Sequence, residues 1–370
     1  MSARFLTVVL ERAFNMRDGF GREIDYMRIS VIDSCNLNCY YCNPCDNNEH
    51  SHALNILSVK EVLCIVRAAT RLGIKHFRLT GGEPLLHPQL DEMVLQIKKI
   101  PGVSSVSLTT NAVLLAQHAK WLKEAGIDSI NVSLDTIDAS EYERITKKPL
   151  LEEVKHGINA AIECGIRVKI NVVLTPQTDV VALTRYVAKK GTDIRFIEMM
   201  PVGEGHTNGV EPYKKVIGTL SKLYGEPCRI NTEKTKEINS GNDKRKIPDN
   251  GPAEYYIFPE LGIRVGLIQA IHGKFCDTCN RIRVTADGRL MPCLGSSVTM
   301  DLVPDSWDFA DDVEKDFAIV RALRAAIKAK PRCHNFNDNA VTYTKTTETK
   351  TTEIEAAEVN AARNMSRIGG

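Results

Sequence analysis

The sequence predicts an α/β fold whose centre is an incomplete barrel of six parallel strands. From Arg28 to Met200, short apolar runs alternate with longer stretches whose apolar residues recur at three- and four-residue spacing. The first pattern is typical of buried strands and the second of amphipathic helices. Gly73, Gly126 and Gly165 follow three of the helical stretches and are suited to ending them. Repeated strand–helix units indicate a parallel sheet, and we expect an incomplete (β/α)6 TIM-like barrel with a C-terminal auxiliary iron–sulfur cluster region.

Each unit contributes one strand, and in such folds the chemistry lies at the carboxyl ends of the strands. The predicted strands are Arg28–Asp33, His76–Thr80, Val103–Thr109, Ser129–Asp135, Arg167–Leu174 and Asp193–Met199. The predicted helices are Val59–Leu72, Pro88–Lys99, Leu114–Ala125, Leu151–Cys164 and Asp179–Lys190.

The pattern loosens after the sixth strand, and composition divides the chain into four parts. Residues 14–232 form the strand–helix core, and residues 233–251, which are rich in Lys, Glu, Asn and Gly, indicate an exposed connection. Residues 252–335 form a compact β-type domain. Residues 336–370 contain a Thr-, Lys- and Glu-rich, weakly ordered stretch and end in Gly369 and Gly370.

Composition favours a protein of a reducing compartment. Among 370 residues, 43% are hydrophobic and 25% charged, and the net charge of +2 gives no reason to expect nucleic-acid or membrane binding. The 11 cysteines do not resemble the disulfide framework of a short secreted chain. The apolar run from Phe5 to Leu10 is too short for a signal peptide, and no run approaches the length of a transmembrane helix. We therefore expect a cytoplasmic location.

Six of the cysteines form two sets of three. The first set is Cys35, Cys39 and Cys42, in a C-x-x-x-C-x-x-C loop after the first strand, and the second is Cys276, Cys279 and Cys293. Three thiolates on a short loop suit a metal or a cluster better than a disulfide, and three ligands leave one iron of a four-iron cluster open to a small molecule. Zinc is the alternative, although closed structural zinc sites use four ligands. Two incomplete sets in one chain favour iron–sulfur clusters.

Small and polar residues follow several strands at the same rim. Gly81 and Gly82 allow close backbone approach to a ligand, and Glu83 could accept a hydrogen bond from an amino group. Thr109 ends the third strand and Ser133 lies at the end of the fourth. Each residue alone is compatible with an ordinary turn or cap. Their shared location is what indicates a site.

A set of cations is expected at that rim too. Its members are Arg28, Arg78, Lys169, Arg195, Arg281 and Arg283. One or two strand cations are normally outer salt-bridge partners, but six directed at a barrel interior would be costly unless an anion compensates them. Arginine's planar fork suits phosphate oxygens. If strand parity directs these side chains inward, the set indicates a polyphosphate ligand.

Taken together, these motifs resemble the radical S-adenosylmethionine superfamily, and within it the MoaA-type GTP 3′,8-cyclase family of molybdenum cofactor biosynthesis. The resemblance rests on the first cysteine loop with Tyr41, on Gly-Gly-Glu-Pro at 81–84, and on segments 20–36, 130–135, 195–200 and 276–283. It extends from about residue 14 to about residue 300 and returns at the final Gly-Gly.

The resemblance implies a role for each matched residue. Cys35, Cys39 and Cys42 would hold a 4Fe-4S cluster that binds S-adenosylmethionine, and Cys276, Cys279 and Cys293 a second 4Fe-4S cluster that contacts guanine. The S-adenosylmethionine contacts would be Tyr41, Gly82, Ser133 and Met200. The GTP-binding residues would be Arg28, Arg78, Thr109, Lys169, Arg195, Arg281 and Arg283. Gly369 and Gly370 would enter the active site as a catalytic tail.

The implied reaction starts from reductive cleavage of S-adenosylmethionine to a 5′-deoxyadenosyl radical. That radical takes the ribose 3′ hydrogen of GTP, and closure onto guanine carbon 8 gives 3′,8-cyclo-7,8-dihydro-GTP. The resemblance also implies a flavodoxin- or ferredoxin-like electron donor, a downstream cyclic pyranopterin monophosphate synthase, and a homodimer.

Three alternatives stay open at this point. A peptide-modifying radical enzyme would usually carry a longer run of C-terminal cysteines. A zinc or electron-transfer protein would leave the Gly-Gly-Glu-Pro segment and the cations without a purpose. A paralogue with an altered nucleotide site is suggested by His76, where the family often has Lys. Cys45 also creates an overlapping C-x-x-C-x-x-C pattern with Cys39 and Cys42, so another ligand set is conceivable.

Overall fold

The computed structural model of the protein describes residues 16–42, 55–202, 210–230, 251–296, 299–302, 312–334 and 336. In these ranges the strands are β1 (Tyr26–Ser30), β2 (His76–Thr80), β3 (Ser105–Thr110), β4 (Ser129–Ser133), β5 (Val168–Val173), β6 (Asp193–Ile197), β7 (Cys228–Arg229), β8 (Glu254–Ile257), β9 (Arg264–Ile268), β10 (Arg281–Val284), β11 (Arg289–Met291) and β12 (Met300–Asp301). The α-helices there are α1 (Val59–Arg71), α2 (Leu90–Lys98), α3 (Leu115–Glu124), α4 (Ala139–Thr146), α5 (Leu151–Glu163), α6 (Val180–Lys189), α7 (Gly218–Tyr224) and α8 (Asp312–Lys328).

Strands β1 to β6 are parallel neighbours in chain order, which confirms the predicted incomplete barrel. The C-terminal part of the chain extends this sheet at both edges, with β10 parallel to β1 and β9 parallel to β6. Short antiparallel strands follow outward: β11 and β12 beyond β10, and β8 and β7 beyond β9. Among the described strands β12 and β7 lie at opposite ends of the order, so the barrel is open.

Helix α1 illustrates how the outer layer forms. It begins after Ser58, whose side chain accepts from the Glu61 N–H while the Glu61 carboxylate accepts from the Ser58 N–H. Such a reciprocal cap typically stabilises a helix start by about 1 kcal/mol. The helix buries an apolar face that includes Val62, Ile65 and Val66, and it packs against α2 and α8.

The contact between α3 and α5 depends on a glycine. A Cβ on Gly157 of α5 would lie 2.4 Å from the carbonyl oxygen of Ala112, just before α3. Ala112 itself has a left-handed φ of 64°, which directs the chain from the end of β3 toward α3. Any side chain at position 157 would therefore push α5 away from the barrel.

Three helices were not predicted, namely α4, α7 and α8. Helix α4 begins after Asp138, whose side chain accepts from the Glu141 N–H, and ends at Lys147 with φ 62°. Helix α8 lies within the region expected to be β-type. It buries Ile319 and Leu323 against the body of the protein, and Asp316 pairs with Arg71 of α1 at 2.8 Å.

Several predictions concern residues that the structure does not describe. Cys45, Gly369 and Gly370 lie outside the described ranges, as do nearly all of 233–251 and 336–370. The predicted division into parts stays a prediction, although strands from both sides of residues 233–251 belong to one sheet. None of the helices in the described ranges has the length and apolar character that crossing a membrane requires.

Candidate active site

A cavity of about 330 Å³ lies in the open barrel, and all six cysteines of the two sets line it. The other predicted site residues that line it are Arg28, Tyr41, Arg78, Gly82, Thr109, Ser133, Arg195, Met200, Arg281 and Arg283. These residues come from loops and strands far apart in sequence. The fold therefore brings nearly all of the predicted site together.

The loop of the first cysteine set rests directly on the Gly81–Gly82 segment. Gly82 donates from its N–H to the Ile32 carbonyl at 2.7 Å, and Glu83 donates to the Ser34 carbonyl at 2.8 Å. A Cβ on Gly82 would lie 2.2 Å from the Ser34 carbonyl oxygen, and one on Gly81 would lie 2.5 Å from that of Ile32. The two glycines thus allow the cysteine loop and the segment after β2 to pack closely together. Gly82 also lines the cavity, as expected.

Glu83 has a different role from the expected one. Its carboxylate is fully buried and accepts from the Thr110 hydroxyl and the Asn111 N–H, both at 2.7 Å. Burial raises the pKa of Glu83 to about 7. Because the carboxylate joins the ends of β2 and β3 and does not line the cavity, the expected contact with a ligand amino group is wrong for this structure.

Burial disfavours the thiolate form of Cys35 and Cys39 in the metal-free protein. Burial raises the pKa of Cys35 to about 11, and burial followed by Cys42 raises the pKa of Cys39 well above its usual value. The Cys35 Sγ accepts from the Leu37 N–H at 3.5 Å and from Asn111 Nδ2 at 3.9 Å. Hydrogen bonds to ligand sulfur are common at iron–sulfur clusters. The donors at Cys35 therefore fit a sulfur that binds the iron of a cluster.

Tyr41 is held at the rim by Asp135. Its hydroxyl donates to the Asp135 carboxylate, which also accepts from the Val173 N–H at 2.7 Å. Burial raises the pKa of Asp135 to about 6. The contact connects the cysteine loop to the ends of β4 and β5, and it fixes the ring next to Cys42.

The two cysteine sets lie at opposite ends of the barrel interior. Cys35 follows β1, whereas Cys279 precedes β10, and β10 is parallel to β1 with Arg281 opposite Tyr26. Cys293 follows β11, which returns antiparallel to β10 toward the same end as Cys279. The first set is therefore at the carboxyl ends of the strands and the second at the amino ends.

The cations extend between these two ends. Arg28 lies opposite Arg78 of β2 on one side and Arg283 of β10 on the other. The expectation that all the cations share one rim is thus wrong, because Arg281 lies level with Tyr26 at the start of β1, beside the second cysteine set. Burial, and then Arg283, lower the pKa of Arg28 well below its usual value, and burial followed by Arg281 lowers that of Arg283 to about 10. An anion among these groups would offset both effects.

Two neighbours position individual arginines, and no local sequence pattern indicated either of them. The Tyr26 hydroxyl accepts from Arg78 Nε, and although burial raises the pKa of this phenol, Arg78 and Arg28 outweigh burial and lower it. Gly266 of β9 lies opposite Arg195, where a Cβ would stand 2.8 Å from the Arg195 Cγ. Strand pairing across distant parts of the chain creates both contacts.

The second cysteine set has cations beside it. Burial raises the pKa of Cys279, but Arg281 and Lys330 outweigh it and lower the value to about 7. The Arg281 Nη2 lies 3.7 Å from the Cys279 Sγ, and its guanidinium lies 4.9 Å from the centre of the Phe275 ring. In the described residues no group of three or more His, Cys, Asp or Glu is arranged for a single metal ion. The donors of each set instead line the wall of a larger space.

Comparison with known proteins supports the resemblance seen in the motifs. The model of the Radical SAM superfamily matches residues 29–182, and that of Molybdenum Cofactor Synthesis C matches residues 192–336. Proteins named GTP 3′,8-cyclase from Clostridium perfringens and Petrotoga mobilis are each 35% identical to this chain, over 87% and 88% of it and 95% and 96% of their own lengths. A third, from Peptoclostridium acidaminophilum, is 37% identical over 87% of this chain and 94% of its own length.

This chain belongs to the GTP 3′,8-cyclase family. The prediction from the motifs is thereby confirmed, and the protein is a radical S-adenosylmethionine enzyme. Membership supports S-adenosylmethionine and a 4Fe-4S cluster as cofactors, and the first cysteine set lies within the matched radical S-adenosylmethionine segment.

Solved structures share the fold of this GTP 3′,8-cyclase family member at low sequence identity. SuiB of Streptococcus suis bound to S-adenosylmethionine superposes with a TM-score of 0.53 at 14% identity, covering 80% of this chain and 68% of that one. SuiB bound to the precursor peptide SuiA gives a TM-score of 0.55 at 16% identity, covering 87% and 69%. These likenesses support the radical S-adenosylmethionine architecture.

Lys169 is the one predicted substrate residue within the described ranges that does not line the cavity. It is buried on β5, level with Asn131 of β4 and Asp193 of β6. Asn171, two residues further along β5, does line the cavity and accepts from Arg195 Nε at 2.9 Å. Lys169 therefore faces the barrel interior, as parity predicted, next to the cavity wall.

Proposed function

We propose that this protein converts GTP to 3′,8-cyclo-7,8-dihydro-GTP, the first step of molybdenum cofactor biosynthesis. The observation that carries the proposal is a single cavity with one cysteine set at each end and buried arginines between them. The names of relatives that align over nearly their whole length support the same activity.

At the carboxyl end of the strands, Cys35, Cys39 and Cys42 hold the 4Fe-4S cluster. Tyr41, Gly82, Ser133 and Met200 contact S-adenosylmethionine, and their common location on the cavity wall supports this role. Once bound, the cluster and S-adenosylmethionine supply the 5′-deoxyadenosyl radical that takes the ribose 3′ hydrogen of GTP. The protein orients the reactants and excludes water from them.

Between the two ends, the cations bind GTP. The proposed GTP-binding residues are Arg28, Arg78, Thr109, Lys169, Arg195, Arg281 and Arg283. Buried guanidinium groups on adjacent strands repel each other, and a polyphosphate among them replaces repulsion with charge-assisted hydrogen bonds. Tyr26 and Asn171 fix Arg78 and Arg195 in place before the ligand arrives.

At the amino end, Cys276, Cys279 and Cys293 hold a second 4Fe-4S cluster that contacts guanine. The cations around Cys279 support thiolate ligands there. Gly369 and Gly370 serve as the catalytic tail, although they lie outside the described residues. We further propose a flavodoxin- or ferredoxin-like electron donor, a homodimer, and a downstream cyclic pyranopterin monophosphate synthase as the consumer of the product.

An anaerobic turnover assay tests the proposal. Reconstituted and reduced protein receives GTP and S-adenosylmethionine, and mass spectrometry follows 5′-deoxyadenosine and the cyclised nucleotide. Both products are expected from the parent and from Cys228→Ser, an exposed cysteine of β7 that does not line the cavity. Neither is expected from Cys39→Ser. Formation of 5′-deoxyadenosine without a cyclised nucleotide would contradict the GTP assignment while keeping the radical chemistry.

A further inference from the structure

The segment that follows helix α8 crosses both parts of the second cysteine set. We name residues 330–334 the C-terminal strap. Lys330 is 3% exposed, and its ammonium donates to the Arg281 carbonyl and to the Pro292 carbonyl, both at 2.8 Å. Arg281 lies two residues after Cys279, and Pro292 directly precedes Cys293. One buried cation thus joins the two chain segments that carry these cysteines.

The third cysteine of the set is joined to the C-terminal strap from the other side. Arg22 donates to the Cys276 carbonyl at 2.7 Å, to the Arg332 carbonyl at 2.9 Å and to the Pro331 carbonyl at 2.6 Å. Asp18 holds this guanidinium through Nε at 2.5 Å. Lys330 of the C-terminal strap therefore donates to a carbonyl within two residues of Cys279 and of Cys293, and Arg22 bridges the Cys276 carbonyl to the strap.

We propose that the C-terminal strap sets the spacing of Cys276, Cys279 and Cys293, with Lys330 as the positioning residue. Pairing of β10 with β11 fixes the strands that follow Cys279 and precede Cys293, and the C-terminal strap adds hydrogen bonds close to both cysteines. Lys330 also lines the cavity. Its positive charge near the cysteine sulfurs favours the reduced form of a bound cluster, because net charge is one of the determinants of cluster potential. The proposal rests on the proposed function only in requiring a cluster at the second set.

The test uses the full-length chain with Cys35, Cys39 and Cys42 replaced by Ala, so that iron loaded there reports the second set. This parent should carry about four irons per chain after anaerobic reconstitution, as one 4Fe-4S cluster requires. Lys330→Gln keeps a hydrogen-bond donor but loses the charge, and Lys330→Arg keeps the charge. The control Lys328→Met changes an exposed lysine at the end of α8. We expect Lys330→Gln to retain less than half of the iron, with a midpoint potential more negative than the parent. Lys330→Arg should retain more iron than Lys330→Gln, and Lys328→Met should match the parent.

Three results would count against the proposal. Equal iron content and potential in Lys330→Gln and the parent would overturn the role of Lys330 while leaving the second cluster intact. A parent without iron would overturn the second cluster itself. The Lys330→Gln change is also made in a chain with Cys276, Cys279 and Cys293 replaced by Ala, where bound iron reports the first set. Iron loss there as well would assign Lys330 to general stability. Arg22→Gln provides an independent variant, and it should lose iron from the second set alone.

Discussion

Arg28 lies directly opposite Arg283 where β1 pairs with β10, so two buried guanidinium groups are neighbours across parallel strands. Burial lowers the pKa of both groups, and Arg283 lowers that of Arg28 further. The pair is thus less favourable in the free protein than it will be around an anion. The cavity is therefore electrostatically suited to an anion.

Arg283→Met should weaken GTP binding and stabilise the ligand-free fold. Loss of a charge-assisted hydrogen bond costs about 2 kcal/mol, or roughly a 30-fold increase in Kd. Removal of one of the repelling charges should raise the melting temperature without ligand. Calorimetric titration with GTP and thermal unfolding check both effects, with the partly exposed Arg289→Met as control. Unchanged affinity for GTP would contradict the phosphate-binding role.

Gly82→Ala should disturb the first cysteine loop. Its Cβ would stand 2.2 Å from the Ser34 carbonyl oxygen, so the segment leading to Cys35 has to move. We expect a loss of stability of about 2 kcal/mol, typical of overpacking, and loss of iron from the first set. Gly218→Ala is the matched control, because no atom lies within 4 Å of a Cβ at that position. Denaturant unfolding and iron analysis measure the two effects, and normal iron loading in Gly82→Ala would contradict the prediction.

Glu83 should make the stability of the metal-free protein depend on pH. Its pKa is raised from the usual 4.5 to about 7 by burial, so the folded state binds more protons than the unfolded state between these values. The contribution of Glu83 to stability is therefore fully present below about pH 4.5 and is lost as the pH rises to about 7. The difference in unfolding free energy between the parent and Glu83→Gln should decrease across this window. A difference that stays constant with pH would show that the pKa is not raised.

Gly266→Ala should act on Arg195 from the neighbouring strand. The added Cβ would lie 2.8 Å from the Arg195 Cγ and displace a guanidinium that is held by Asn171. We expect GTP affinity to fall by about tenfold, as for the loss of one hydrogen bond of about 1.4 kcal/mol. Cleavage of S-adenosylmethionine without GTP should be less affected. Comparing GTP titration with 5′-deoxyadenosine formation separates the two, and equal losses in both would contradict a specific effect on Arg195.

Local patterns were sufficient for the six core strands. Apolar runs such as Val168–Val173 are strongly periodic, and the predicted strand exceeds the observed one by a single residue at each end. Helix α4 was missed because its short, polar sequence offers only the cap at Asp138 as a signal. Helix α8 was missed because few of its residues form a continuous apolar face.

The site was predictable in its residue types but not in its arrangement. Strand parity correctly placed Lys169 and Asn171 on one side of their strand, since side chains alternate along a strand. Nothing local to Arg281 shows that β10 pairs in parallel with β1, some 250 positions earlier, and this pairing places the second cysteine set at the far end. Position 82 likewise requires glycine because the Ser34 carbonyl lies too close for a Cβ, and this contact exists only in the folded chain.

Strand β1 acts as a spacer between the two cysteine sets. The four steps from Tyr26 to Ser30, at a rise of about 3.3 Å each, separate its ends by about 13 Å. A ligand that reaches both ends must be about as long as the strand, so an extended nucleotide is selected over a free base by length alone. Insertion of one residue into β1 would lengthen this gap and turn Arg28 to the outer face. The number of residues in a single strand thus determines how far apart the two cysteine sets are held and how long a ligand between them has to be.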